Sequence, residues 1–286
     1  MNKFRLLILS FTITFSSLFI VSCDKDNNIF SDINIFSDAD DVELGQQVVT
    51  EINANPGEYP RDSRTNAARD YIRTRIFNHI LQSPKVAKKN VYQYSLEIVK
   101  NDSVYNAFAL PGGPVYVYTG LLKYLDSEAA LAGVLGHEIA HAERRHATQR
   151  MTAYYGVSVL LSLILGQNPT QLAEIAANLF VGIAFLANSR TAEDESDQYS
   201  FEYLKDTRYY PGAVKFFFEK LRDDGLVSSQ SSQLETFLST HPDPIQRIAN
   251  TNQRLTNASL PVHDWKYTGD GIFKTEYTTN IKNTLP

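Results

Sequence analysis

This chain of 286 residues has one cysteine, no run of twenty apolar residues and no cluster of lysine and arginine. Each absence narrows what it can be. A lone cysteine cannot form an intrachain disulfide, so cross-links do not hold the fold together. Beyond the N-terminus the longest apolar stretches, 151–165 and 172–187, fall short of the ~20 residues that a membrane-crossing helix needs. They read as two packed helices joined by 166–170, with a membrane-facing hairpin as the alternative. Basic residues neither cluster nor alternate with aromatics, and the formal charge is −5, which argues against a nucleic-acid partner. After Leu255 the sequence turns polar with no helical repeat, so no repeat-built binding module is expected there.

Histidine is scarce as well, six in all, yet two stand four apart in His137-Glu138-Ile139-Ala140-His141. On a helix, residues at that spacing lie about 40° apart around the axis, so both imidazoles leave one face. Two neutral imidazoles can hold two corners of a zinc tetrahedron. Glu138 falls beside the metal rather than on it, where it can take a proton from an attacking water. Asp126 or Ser127 can cap the helix, and the small Ala132, Gly133 and Gly136 admit another backbone.

A third ligand must come from elsewhere. Glu193 and Asp197 are also four apart, at the end of a long apolar stretch that suggests an inward-facing pair. Glu193 can bind zinc, and Asp197 can accept from a ligand histidine and fix its tautomer. Glu195 points the other way and reads as solvent-facing.

Taken together, these residues resemble the zinc metallopeptidase family that includes HtpX, the CAAX prenyl proteases and the periplasmic proteases BepA and LoiP. Members carry HExxH on one helix and ExxxD on a later one, often after Ser-Arg. This chain has His137-Glu138-x-x-His141 and Ser189-Arg190-x-x-Glu193-x-x-x-Asp197. The segment from Asn106 to Leu122 resembles the family's strand and turn before the zinc helix, and His241-Pro242-Asp243-Pro244-Ile245-Gln246-Arg247 its HPxxxxR element. The resemblance covers roughly residues 38 to 255. One departure is small: the family usually has Ala where Ser196 stands.

The resemblance implies that His241 lies near the zinc, where it can stabilise an oxyanion or bind the metal and hold the enzyme latent. Arg247, carried on a short helix begun by Pro244, can position that loop or pair with Asp197. Arg190 is expected to support the site from its second layer. His146, nine residues after His137, falls on the far side of a continuous helix and is given a supporting or packing role. His79 and His263 read as ordinary.

Alternation at Tyr92, Tyr94, Leu96 and Ile98 predicts a half-buried strand, with a turn at Asn101-Asp102 and a hairpin return over 103–109. Pro111-Gly112-Gly113-Pro114 then breaks the ladder, which suits an edge for the segment 115–118. Such an edge can bind an extended peptide by strand addition, making Gly112, Gly113, Val115 and Val117 candidate substrate-binding positions.

Residues 1–22 read as a secretory leader, with Lys3 and Arg5 ahead of an apolar run. Ile20-Val21-Ser22-Cys23 resembles a lipobox, which implies cleavage before Cys23 and its lipidation. Loss of the two bases takes the formal charge to −7. Residues 23–37 form a polar tether, 38–255 the metallopeptidase domain and 256–286 a C-terminal extension.

The expected fold is helix-rich α+β, a zincin-like domain with a small sheet beside the active-site helix. The expected protein binds one Zn2+ and is lipid-anchored at a bacterial envelope membrane, facing the periplasm. There it hydrolyses unfolded or misassembled envelope proteins. A rival is a non-enzymatic holdase on the same fold, which would have no use for Glu138. Processing of prenylated peptides is a second rival, although an exported lipoprotein would not meet them.

Overall fold

The structure, a computed structural model, describes residues 33–156, 188–227 and 237–286. The expected leader, Cys23 and most of the two apolar stretches lie outside the described residues. Among the described residues no helix is long and apolar enough to cross a membrane.

Helix α1 (Asp38–Ala54) begins with a capping box, in which Ser37 Oγ accepts from the Asp40 amide and the Asp40 carboxylate accepts from the Ser37 amide. The tether expected to end at residue 37 is packed over its last residues. Phe36 is buried, and Asn34 donates to Thr148 at 2.9 Å. Next, α2 (Asn66–Ile72) passes through a π turn at Arg73–Phe77 into α3 (Asn78–Leu81), burying Ile72, Ile76 and Ile80.

The sheet corrects two expectations. Its strands β1 (Ser95–Val99), β2 (Ala107–Ala109) and β3 (Pro114–Tyr118) lie in the order β1-β3-β2, with β1 parallel and β2 antiparallel to β3. No β1–β2 hairpin forms. Asp102 instead takes Thr119 Oγ1 at 2.5 Å and Lys123 at 2.7 Å, drawing the connection over α4 (Thr119–Tyr124) while β3 enters between the other two. The strand carrying Val115 and Val117 is therefore central and paired on both sides, not an edge. Both valines are fully buried. Gly112 and Gly113 turn inward too, packed on Val42 and Tyr94. β1 and β2 are the outer strands.

Helix α5 (Glu128–Glu143) carries the HExxH residues and is buried along its whole length. A helix apolar on every side must be wrapped by other elements, and this one is. Fully burying Leu131, Leu135 and Ile139 contributes about 1.5–3 kcal/mol each. α7 (Arg190–Leu204) lies along it, with Ser200 Oγ donating to the Gly133 carbonyl at 2.8 Å; a Cβ on Gly133 would come 2.5 Å from the Val214 amide at the start of α8 (Val214–Asp223). The small residues thus admit neighbouring backbone as expected. α6 (His146–Tyr155) follows a left-handed residue, Arg145, and α9 (Pro244–Asn257) starts at Pro244 and carries Arg247.

The segment after 256 packs against the domain. Helix α10 (Lys274–Asn280) buries Tyr277, with Ile272 and Ile281 buried on either side. The carbonyls of Ile272 and Phe273 accept from the amides of Ala129 and Glu128 at 3.2 and 3.4 Å, and Ser127 Oγ accepts from Ala130. These bonds satisfy first-turn N–H groups of α5 that lack intrahelical partners.

Candidate metal centre

The four-residue spacings deliver what they promised. α5 turns His137 and His141 to one side and α7 brings Glu193 against them. Nε2 of His137 and of His141 are 2.9 Å apart, and Glu193 lies 3.4 Å from the first and 3.2 Å from the second. His241 joins from the loop before α9, its Nδ1 3.0 and 3.1 Å from the two Glu193 oxygens. Ligand atoms of these four residues lie within 4.8 Å of one another, and all four are buried.

The donor set fits zinc, for which imidazole nitrogen and carboxylate oxygen in tetrahedral array are ordinary ligands. The outer nitrogens are already engaged. His137 Nδ1 meets Asp197 Oδ1 at 2.9 Å, which puts its hydrogen there and leaves the Nε2 lone pair facing the cluster. Asp197 thus stands against the His137 ring, where the sequence predicts it.

Arg247 lies under the cluster. Its Nε and Nη2 donate to both Asp197 oxygens at 2.7 and 2.6 Å, and Nη1 donates to Glu193 at 2.5 Å. Burial opposes ionisation of Glu193, but His241, Arg247 and His137 hold its pKa well below the ordinary range. Glu138 is 2% exposed, and burial raises its pKa against the pull of His241 and His137. His241 Nε2 lies 3.8 Å from Glu138 Oε1. Without metal, burial and the Arg247 charge work against a proton on His137, yet Glu193 and Asp197 outweigh both and lift it to about 9. Burial and the neighbouring His137 drive His141 well below its usual range.

The metal-free pair thus carries one proton beyond the two neutral imidazoles, on His137, and zinc must displace it. Zinc affinity is expected to rise by about tenfold per pH unit from 7 towards 9, with about one proton released on binding. Calorimetry in buffers of different ionisation enthalpy measures that release. A flat affinity with no released proton would contradict this account.

Other expectations fare unevenly. Arg190 touches no ligand; it is 72% exposed and reaches Asp243 at 2.5 Å. Glu195 does not face solvent alone, since it meets Arg144 Nε at 2.8 Å and His146 Nε2 at 2.9 Å. His146 is not on the far side of a continuous helix. The chain breaks at Arg145, and His146 Nδ1 comes 2.8 Å from His141 Nδ1. Two contributors went unread. Asn188 donates its amide to the Thr240 carbonyl at 3.0 Å and lies 3.5 Å from His241, while Phe237 stacks on the His241 ring at 4.8 Å. Asn188 directly precedes Ser189-Arg190, its only sequence signal; Phe237 had none.

A cleft of about 80 Å³ opens beside the cluster. Glu138, His141 and His241 line one side; Tyr59, Phe108 and Tyr118 line another, with residues 107–111 along the free edge of β2. In the β2–β3 register, Tyr118 donates to Asn106 and Leu110 to Pro114, so the N–H and C=O groups of Ala107 and Ala109 turn away from β3.

A cluster of metal-ligating side chains from two packed helices and a loop, with a spare carboxylate and a strand edge beside it, is the arrangement of a metallopeptidase. Residues 67–255 match peptidase family M48, and the chain belongs to that family. Among its relatives, the mitochondrial metalloendopeptidase OMA1 of Arabidopsis thaliana is 33% identical over 150 residues, which are 52% of this chain and 29% of that protein. The beta-barrel assembly-enhancing protease of Escherichia coli K12 is 31% identical over 166 residues, 55% of this chain and 33% of that protein. The OMA1 metalloendopeptidase of Schizosaccharomyces pombe is 29% identical over 170 residues, 59% and 48% of the two chains. This chain spans less than half the length of each.

Proposed function

We propose that this chain is a zinc-dependent endopeptidase, anchored at a bacterial envelope membrane by lipid on Cys23, that hydrolyses unfolded or misassembled envelope proteins. The observation that carries the enzymatic part is the buried His137, His141 and Glu193 cluster with Glu138 beside it but outside the donor set. The name of the Escherichia coli relative supports an envelope setting, and the leader with its lipobox favours that over an organelle.

His137, His141 and Glu193 would hold one zinc, which when bound would supply Lewis-acid polarisation of a carbonyl and a lowered pKa for water. Glu138 takes the proton of the attacking water and returns it to the leaving amine. Ala109 holds the substrate backbone through the β2 edge, the Ala107 amide being taken by Asn106 Oδ1 at 2.9 Å, in a contact indifferent to side chains. The apolar wall of Tyr59, Phe108 and Tyr118 takes side chains that a folded protein would keep inside. His241, with Nδ1 among the four donors, is better suited to occupy the water's position than to serve as an oxyanion donor. It therefore gates the site.

The test uses the zinc-loaded chain from Asp24 with casein as an unfolded substrate. Parent protein is expected to cut slowly, His241→Ala several-fold faster, and neither after chelation. Faster cutting by the parent than by His241→Ala would return His241 to the oxyanion role. No cutting by either, with zinc bound, would sink the peptidase reading in favour of a holdase. Incorporation of labelled palmitate by the full chain, lost in Cys23→Ser, tests the anchor separately, and label retained by that variant would dismiss it.

A further inference from the structure

α5 stops at Glu143, and the left-handed Arg145, with φ of 63°, turns the chain so that His146 returns against His141. From there a hydrogen-bonded chain runs outward. His141 Nδ1 meets His146 Nδ1 at 2.8 Å, His146 Nε2 meets Glu195 Oε2 at 2.9 Å, and Glu195 Oε1 accepts from Arg144 Nε at 2.8 Å. His146 is 3% exposed, so water does not replace these partners.

The hydrogens can be assigned from the partners. A carboxylate only accepts, so the hydrogen of a neutral His146 lies on Nε2 and its Nδ1 is bare. That bare nitrogen accepts from His141 Nδ1–H, which turns the His141 Nε2 lone pair toward His137 and Glu193. Ser196 Oγ, 3.3 Å from the same His146 Nδ1, offers it a second donor. Glu195 is about a third exposed, so its pairing with Arg144 adds little stability in itself. What Arg144 does is claim one carboxylate oxygen.

We infer that Arg144, Glu195 and His146 form an orienting chain that fixes the tautomer of His141, a second arm matching the one Asp197 extends to His137. His146 and Glu195 are positioning residues; neither reaches the donor cluster. The inference rests on reading that cluster as a zinc site.

The experiment measures the zinc dissociation constant of the full chain by competition with a chromophoric chelator. Glu195→Gln is expected to weaken binding about 10–100-fold. Arg144 holds the Gln oxygen, so the amide hydrogen faces His146 Nε2 and forces a hydrogen onto Nδ1, against the one on His141. Removing that constraint in Glu195→Gln with Arg144→Ala lets the amide turn over, and affinity should recover to within about threefold of the Arg144→Ala protein. His146→Asn, whose Oδ1 can accept at the Nδ1 position, should bind within about threefold of the parent, whereas His146→Ala should lose as much as Glu195→Gln. Ring nitrogen chemical shifts of the zinc-loaded parent should show His146 protonated on Nε2 alone. Equal affinity in all variants, a doubly protonated His146, or no recovery in the double variant would each overturn the orienting chain. Failure of the parent itself to hold zinc would refute the metal reading, and the orienting chain with it.

Discussion

Glu138→Gln is expected to lower hydrolysis of an unfolded substrate by about 10²–10⁴-fold while leaving zinc content at the parent level. Gln keeps the shape and packing of the side chain, so the change isolates the loss of a proton acceptor. Glu138 suits that role for three reasons. It lines the cleft with His141 and His241, it stands outside the four-residue donor cluster, and its burial raises its pKa, which strengthens it as a proton acceptor. Zinc stoichiometry by atomic absorption, beside initial rates on a fluorescent casein, gives both quantities from one preparation. A variant that cuts at the parent rate would remove Glu138 from the chemistry. One that loses zinc would make it a ligand in disguise.

Arg247→Ala should have the largest effect on stability, a loss of about 3–5 kcal/mol, because it strips a buried guanidinium from two buried carboxylates. Arg247 is 3% exposed, and its three donors meet both oxygens of Asp197 and one of Glu193. For a domain of this size the loss corresponds to a drop in Tm on the order of 10 °C. Arg247→Lys should recover only part of it, since an ammonium cannot fork across two oxygens as a planar guanidinium does. Thermal unfolding of the zinc-free proteins measures the effect without help from bound metal. An Arg247→Ala protein within about 1 kcal/mol of the parent would mean that water replaces the guanidinium.

The helices of the site were legible because each ligand pair lies within one turn of one helix. His137 with His141, and Glu193 with Asp197, need only the helical period to be placed on a common face. Arg247 and the helix start at Pro244 were legible for the same local reason. The sheet was not, because strand order depends on contacts between distant segments, and nothing in 100–106 announces that Asp102 binds Thr119 and Lys123 instead of closing a hairpin. The strand edge beside the cleft is therefore that of Ala107 to Ala109, not that of Val115 and Val117. Glu195 and His146 were misread for a subtler reason. A helical wheel gives the direction of Glu195 correctly but cannot say what stands there, and the direction of His146 was lost with the break at Arg145.

The bonds from Ile272 and Phe273 to the start of α5 carry a consequence for how the enzyme is made. A ribosome delivers the chain from its N-terminus. The helix bearing His137 and His141 emerges long before the segment that fastens its first turn, and even His241 comes out ahead of it. A half-made chain therefore carries every metal ligand without the closed core that buries them, and chains arrested before Ile272 are expected to lose zinc to a chelator that the finished protein resists. On this account the buried site closes only once the segment from Ile272 has joined α5, well after the motif has appeared.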